Sequence, residues 1–298
     1  MPDKTGAVVV GVDGSDGAIS AARWGAAVAK SFETSLHIVH AMPSFGHNLT
    51  DTVAAVQAAA MSYLRDYASI ILRSAADAVR EQQPGLFVTT ESTDTPVGEA
   101  LIQLSRNACM IVVGNSEVTP AGALLVGSTT LAIATHADCP VVAWRGSHAV
   151  PTDQPIVVGT DGAHSSIAAL DAAFEFADRF KAKLSAVKSW SMRRPAAAVT
   201  IPFLVDWDAL EAAEWAQLTD LVDRHNQPHP DVHATCFVET TGPTAALLHQ
   251  VDVDDAQLVV VGNRGRGPLS SVVLGSTALS LLHHSKVPVM VCRSIGDS

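Results

Sequence analysis

Aromatic residues are scarce in this chain, at 5% of 298 positions, and charged residues supply only 16%. The apolar share is nevertheless 48%, so Ala and Val carry it. That composition belongs to a globular α/β protein rather than a disordered one. Basic residues are in deficit as well: 19 Lys and Arg against 30 Asp and Glu leave a formal charge of −11. The deficit argues against nucleic-acid partners and against an anionic membrane surface, so any anion site must be built from local features. No apolar run approaches the roughly 20 residues of a membrane span, and Ala7-Val8-Val9-Val10 is too short for a secretory core. Cysteine is limited to Cys109, Cys139, Cys236 and Cys292, with no CxxC spacing. Reduced thiols serving as small core residues in a cytoplasmic protein fit that pattern.

What is present is a repeat. Val12-Asp13-Gly14 ends one apolar run and Thr160-Asp161-Gly162 ends another, 148 residues later. The same offset joins Val39 to Val187, Gly114 to Gly262, Gly127 to Gly275, Ser128 to Ser276 and Pro140 to Pro288. One offset over so many landmarks marks an internal duplication. Residues 1–147 and 154–298 are the two expected domains, joined through the polar stretch Gly146 to Gln154 around Pro151. Strands are expected near 7–12, 35–41, 86–91, 109–114 and 140–145, then near 155–160, 183–189, 232–238, 257–262 and 288–293, with helices between them. Thr52 to Gln82 reads as an unusually long helix. Met192 to Val205 reads as a surface loop. Alternation of this kind gives two doubly wound, open, parallel five-stranded sheets of the flavodoxin or Rossmann kind, whose ligands bind beyond the carboxyl ends of the strands.

The most informative stretch follows the apolar run Leu258 to Val261. Gly262, Gly265, Gly275 and Ser276 fit the pattern G-x2-G-x9-G-S, with Arg264 and Arg266 inside it and a helical spacing after it. Glycines let a backbone approach an anion, and the free amides of a first helical turn, with the helix dipole, attract one. The two arginines offset phosphate charge in an otherwise acidic chain. In the first half Gly114, Gly127 and Ser128 are kept, but Glu117 replaces the second glycine and the loop has no arginine. A carboxylate there repels a triphosphate by an amount on the order of one to several kcal/mol.

With these motifs, and final strands opening on Cys-Pro-Val and Val-Pro-Val, the chain resembles the universal stress proteins of the UspA type, in the tandem form with two domains per chain. The resemblance implies two domains packed as a pseudo-dimer, a cytoplasmic stress-response regulator, and, from the family's ATP-binding branch, ATP as the ligand. It assigns the phosphates to Gly262, Gly265, Gly275 and Ser276, with Thr277 adding an amide, the ribose to Asp161, and the adenine to the backbone of Val187. The first-half counterparts are Asp13, Val39, Gly114, Gly127 and Ser128. An adenine nucleotide and protein partners, a second copy among them, are the implied associates.

Other motifs carry less. Gly262 to Gly267 spells GxxGxG after the fourth strand of its domain, unlike the GxGxxG of dinucleotide folds, and no GxxxxGK(S/T) loop is present. His225, His229 and His233 are four apart, but Pro228 and Pro230 break a helix there, so a solvated turn is expected instead of a metal site. His283-His284 suits a helix end. No Ser-His-Asp order or paired carboxylate accompanies the loop, so binding outranks catalysis, and any hydrolysis would be slow and depend on Mg²⁺. The alternatives are an adenylating enzyme, whose early Ser-Gly-Gly-x-Asp-Ser loop is absent here, and an interaction protein with vestigial pockets.

Overall fold

The computed structural model describes residues 6–43, 51–114, 126–146, 149–162, 164–190, 206–263 and 274–293. The chain divides into two units, one ending at Pro151 and the other starting at Thr152. The first runs β1 (Val8–Gly11), α1 (Asp16–Ser31), β2 (Leu36–Ala41), α2 (Asp51–Gln82), β3 (Val88–Thr93), α3 (Val97–Leu104), β4 (Met110–Gly114), α4 (Ser128–His136) and β5 (Val141–Trp144). Its strand order is β3-β2-β1-β4-β5, with every pairing parallel. α1 packs with α2 and α3 with α4, and right-handed crossovers put the two pairs on opposite faces. On the α3/α4 side Val9, Val39, Ile111, Val113 and Val141 of the sheet meet Leu101 and Ile133. Chain order reverses direction between β1 and β4, the switch point at which such sheets open a crevice.

The second unit repeats the plan as β6 (Ile156–Gly159), α5 (His164–Phe180), β7 (Leu184–Ser189), α6 (Trp207–Asn226), β8 (Ala234–Glu239), α7 (Pro243–Asp254), β9 (Leu258–Gly262), α8 (Ser276–His284) and β10 (Val289–Cys292). Its order is β8-β7-β6-β9-β10, again parallel. The start of the unit is clamped by Gln257, whose side chain donates to the carbonyls of Thr152 and Gln154 and accepts from the Thr152 amide. No disulfide joins the four cysteines: Cys109, Cys139 and Cys292 are buried and Cys236 is half-buried.

The edge strands differ most from expectation. β3 starts at Val88 rather than 86, and β8 at Ala234 rather than 232. Phe87 is 70% exposed and Val232 is buried in the preceding turn, where its amide donates to the His229 carbonyl. Apolar residues that belong to no strand rung therefore extend the apparent pattern. The expected solvated histidine turn holds for His233, which is exposed, and needs correction for His225 and His229. His225 lies in the last turn of α6, bonded to the Leu221 carbonyl and 3.5 Å from Asp171, while His229 is 3.3 Å from Asp178 and stacks on Phe174. Asp171 and Asp178 stand two helical turns apart on α5, so the imidazoles are held against a neighbouring helix instead of facing water. His283 and His284 do end a helix, and His284 Nδ1 lies 2.8 Å from the Ser280 carbonyl.

Candidate functional site

In the first unit β1 delivers the chain into its switch-point crevice at Asp13. Gly14 has φ 89°, a left-handed turn that favours glycine, and Ser15 then caps α1 by accepting the Ala18 amide. Asp13 is held by that cap: its carboxylate accepts the Ser15 amide at 2.9 Å and the Ser15 hydroxyl at 2.6 Å. Burial works to raise the carboxyl, but these bonds, with His40 nearby, hold it below the ordinary carboxylate value. His40 is itself buried and bonded to the Val12 carbonyl.

The glycines kept on the other side of the crevice have different reasons. A Cβ on Gly114 would lie 2.7 Å from the Gly17 carbonyl oxygen, so α1 starts directly against the end of β4. A Cβ on Gly127 meets nothing within 4 Å, and its φ of −63° is open to any residue. Gly127 is the N-cap of α4, with no side chain bonded to the helix start, and Ser128 follows it in exposed position.

The second unit is built alike, with different fastenings. Asp161 follows β6 and is half-buried; Gly162, at φ 74°, turns the chain and donates its amide to Thr160 Oγ1. Thr160 is fixed in turn by Ser166 at 2.9 Å. Position 163 is Ala where the first copy has Ser15. At the far side the Gly275 amide donates to the Asn263 carbonyl at 2.7 Å, and the Asn263 amide to the Cys292 carbonyl at 2.8 Å. The end of β9 and the start of α8 are thereby tied together, and α8 opens with Gly275 as an N-cap bearing no side-chain bond. Ser276 and Thr277 are in its first turn, exposed and half-exposed. Asn263, buried to 3%, escaped the sequence reading. Its signal was there: Gly114-Asn115 and Gly262-Asn263 keep the same pair at the same offset.

Val39 and Val187 sit inside their strands, opposite Gly11 and Gly159. Both are buried, and their carbonyls accept the amides of Val12 and Thr160. β2 and β7 run two residues further than the last of those rungs, so the backbone nearer the crevice belongs to Ala41 and Ser189. Arg264, Gly265, Arg266 and Glu117 lie outside the described residues, as does Met192 to Val205. The structure thus brings Asp161, Gly262, Gly275, Ser276 and Thr277 to one sheet end, and Asp13, Gly114, Gly127 and Ser128 to the other unit's equivalent. Chemically, each arrangement offers a helix start whose N-cap glycine makes no side-chain bond, at the same sheet end as a carboxylate, suited to an anion that also carries hydroxyl donors. Among the described residues there is no group of three or more His, Cys, Asp or Glu placed to hold a metal, and no helix is long and apolar enough to cross a membrane.

Comparison with known proteins agrees with this duplication. The universal stress protein family profile matches twice, over residues 5–145 and 154–293. A universal stress protein of Mycobacterium tuberculosis strain H37Rv is 32% identical over 306 residues, covering 98% of each chain. One from Mycolicibacterium smegmatis is 29% identical over 294 residues, covering 96% of each. The crystal structure of a universal stress protein from Archaeoglobus fulgidus covers 98% of this chain and 100% of its own, with TM-score 0.69 at 19% identity, a likeness of fold.

Proposed function

We propose that this chain, which belongs to the universal stress protein family in its two-domain form, binds ATP in its second unit and acts as a nucleotide-dependent stress-response regulator rather than a fast catalyst. The observation that carries the reading is the start of α8. Its N-cap Gly275 supplies no side-chain bond to the helix start, and Asn263 holds it at the end of β9, in the unit that places Asp161 at the adjoining strand end. Ser276 and Thr277 would receive the terminal phosphates through backbone amides and hydroxyls, and the sequence supplies Arg264, Gly265 and Arg266 in the loop before them. Asp161 would accept ribose hydroxyls. Bound there, the triphosphate supplies a charge that the helix dipole and two guanidiniums favour. Occupancy rather than turnover is the expected signal to partner proteins, in a cytoplasmic setting.

Isothermal titration of the full chain with ATP and Mg²⁺ tests this. Saturable binding tighter than millimolar, lost in Gly265→Asp, is the expected result. Absence of binding overturns the reading and leaves an interaction protein with vestigial pockets. Rapid phosphate or pyrophosphate release would replace it with an adenine-nucleotide-using enzyme. Unchanged affinity in Gly265→Asp would move the site to another loop.

A further inference from the structure

Each unit buries a basic side chain near the carboxyl end of its second strand. In the first it is His40 of β2, 8% exposed; in the second it is Lys188 of β7, 5% exposed, at the position that the 148-residue offset makes equivalent. Their surroundings differ. Lys188 pairs with Glu214 of α6 and donates to Gln217 of the same helix, so its charge is matched within the fold. The side of α2 that packs on β2 and β3 presents Ala68, Ile71, Leu72 and Ala75 instead, with Asp66 and Arg73 exposed. On α1, Asp16 and Arg23 lie opposite the buried side made by Ala18, Ala21 and Gly25. Glu91 of β3 pairs with His37, which points to the other face of β2.

His40 is turned instead to the end of β1, where its Nδ1 lies 2.8 Å from the carbonyl oxygen of Val12, one residue before Asp13. A carbonyl oxygen only accepts, so Nδ1 carries its hydrogen at every pH and Nε2 is the atom that gains a second proton. Among the described residues Nε2 has no hydrogen-bond partner. Asp13 is the charged group beside the ring, and the influence of His40 is one of the causes that hold its carboxyl low. That carboxylate takes both of its bonds from Ser15 on one oxygen, Oδ1, and stays ionised through the range, pH 5 to 8, in which imidazoles ordinarily change charge. The loop of the first unit contains Glu117 and no arginine. A phosphate drawn to this crevice therefore lacks the counter-charge that the second loop supplies, and the ring beside Asp13 is the group able to gain one.

We propose that His40 determines the anion affinity of the first crevice: with Nε2 protonated it offsets the Asp13 carboxylate, and the crevice then takes a nucleoside triphosphate more tightly. The inference rests on the reading of these crevices as nucleotide sites and adds a dependence that the second does not share, because Lys188 keeps its charge and its partner across the same range. Affinity in the first crevice rises as pH falls through the imidazole range and is lost as pH rises through it. Acidification thus narrows the difference between the two halves.

Calorimetry with ATP and Mg²⁺ between about pH 5.5 and pH 8 tests it, on the full chain carrying Gly265→Asp to silence the second crevice, with and without His40→Asn. Asparagine keeps a donor for the Val12 carbonyl but takes no proton, and unchanged circular dichroism verifies the fold. Both chains meet the same nucleotide, so the protonation of the ligand cancels in the ratio of their affinities. The expected ratio is near one at the alkaline end and about fivefold in favour of His40 at the acid end, the effect of one unit charge at close range in a well-solvated site. By reciprocity, saturating ATP should move the titration of the His40 ring protons to higher pH, their resonances being assigned among 12 histidines by their loss in His40→Asn. A purely structural bond to Val12 moves neither. A ratio constant over the range overturns the proposal, as does a ring titration that ATP leaves in place. Absence of binding in Gly265→Asp at every pH, in a protein whose unaltered form binds one nucleotide, overturns it and leaves the second-unit site standing, whereas an unaltered chain that binds none overturns both.

Discussion

Gly114 and Gly127 belong to one loop pattern, yet the structure separates their roles. Gly114 is demanded by packing, because α1 leaves no room for a methyl group 2.7 Å from a carbonyl oxygen. Gly114→Ala should cost the first unit about 1–3 kcal/mol in urea unfolding, with or without ligand. Gly127 has open space and an ordinary backbone, so its absence of side chain serves no described neighbour. Gly127→Ser should leave stability unchanged or raise it by a few tenths of a kcal/mol, since serine caps a helix at least as well. The same change fills the helix start, and any first-unit anion affinity measured by calorimetry should fall. Ser15 offers a third test. Asp13 has a lowered folded value, so its contribution is complete above the unfolded value of 3.8 and is lost as pH falls through the folded one. Ser15→Ala removes the hydroxyl bond to that carboxylate and the α1 cap while keeping the amide bond, and should destabilise by about 1 kcal/mol at neutral pH. The Asp13 share of that deficit should begin to shrink as pH falls past the unfolded value of 3.8 and vanish below the folded one, which thermal melts across the pH range would show.

At the scale of elements, β7 and α6 are joined by an ion pair between a buried lysine and a part-exposed glutamate. Lys188, 5% exposed on β7, meets Glu214 of α6, and its ammonium also donates to Gln217 Oε1. Removing only the carboxylate strands a buried charge, so Glu214→Ala should lower the denaturation free energy of the second unit by about 3 kcal/mol. Glu214→Leu with Lys188→Met should recover most of the loss, a non-additivity that a double-mutant cycle measures. Nothing in the local sequence announces this pair, because its partners are 26 positions apart and lysine in a strand reads as a solvated face. Other elements were legible for a physical reason. Central strands such as Val8–Gly11 and Leu258–Gly262 are buried on both faces and are uninterruptedly apolar, and the 148-residue offset locates each twice. Edge strands β3 and β8 bond on one side, the first mostly exposed and the second mostly part-exposed, so neighbouring Phe87 and Val232 displaced their apparent starts. The site was readable as far as glycine spacing and strand ends allow. That Asn263 joins β9 to α8, and that the Val39 and Val187 carbonyls are taken by strand rungs, depends on register, which a single sequence does not display.

For the molecule as a whole, duplication sets up two crevices of one design, and sequence drift has made them unequal. The first has its aspartate fastened by Ser15, and its loop contains Glu117 and lacks arginine; the second has Ala163, Gly265 and two arginines at the matching places. The loop differences act in the same direction on a triphosphate, since charge repulsion and a missing counter-charge both weaken the first crevice. Titration of the full chain with ATP and Mg²⁺ should therefore give a stoichiometry near one nucleotide per chain in the tighter phase. Asp161→Ala should weaken that phase by at least about tenfold, the loss of roughly 1.4 kcal/mol from charged hydrogen bonds. Asp13→Ala should leave it unaltered. Glu117→Gly, which restores the second glycine and removes the repelling carboxylate, should raise the weaker phase toward the affinity of the other. Two equal sites in the unaltered chain, or an effect of Asp13→Ala equal to that of Asp161→Ala, would show that the loop differences do not set affinity and that both halves bind alike.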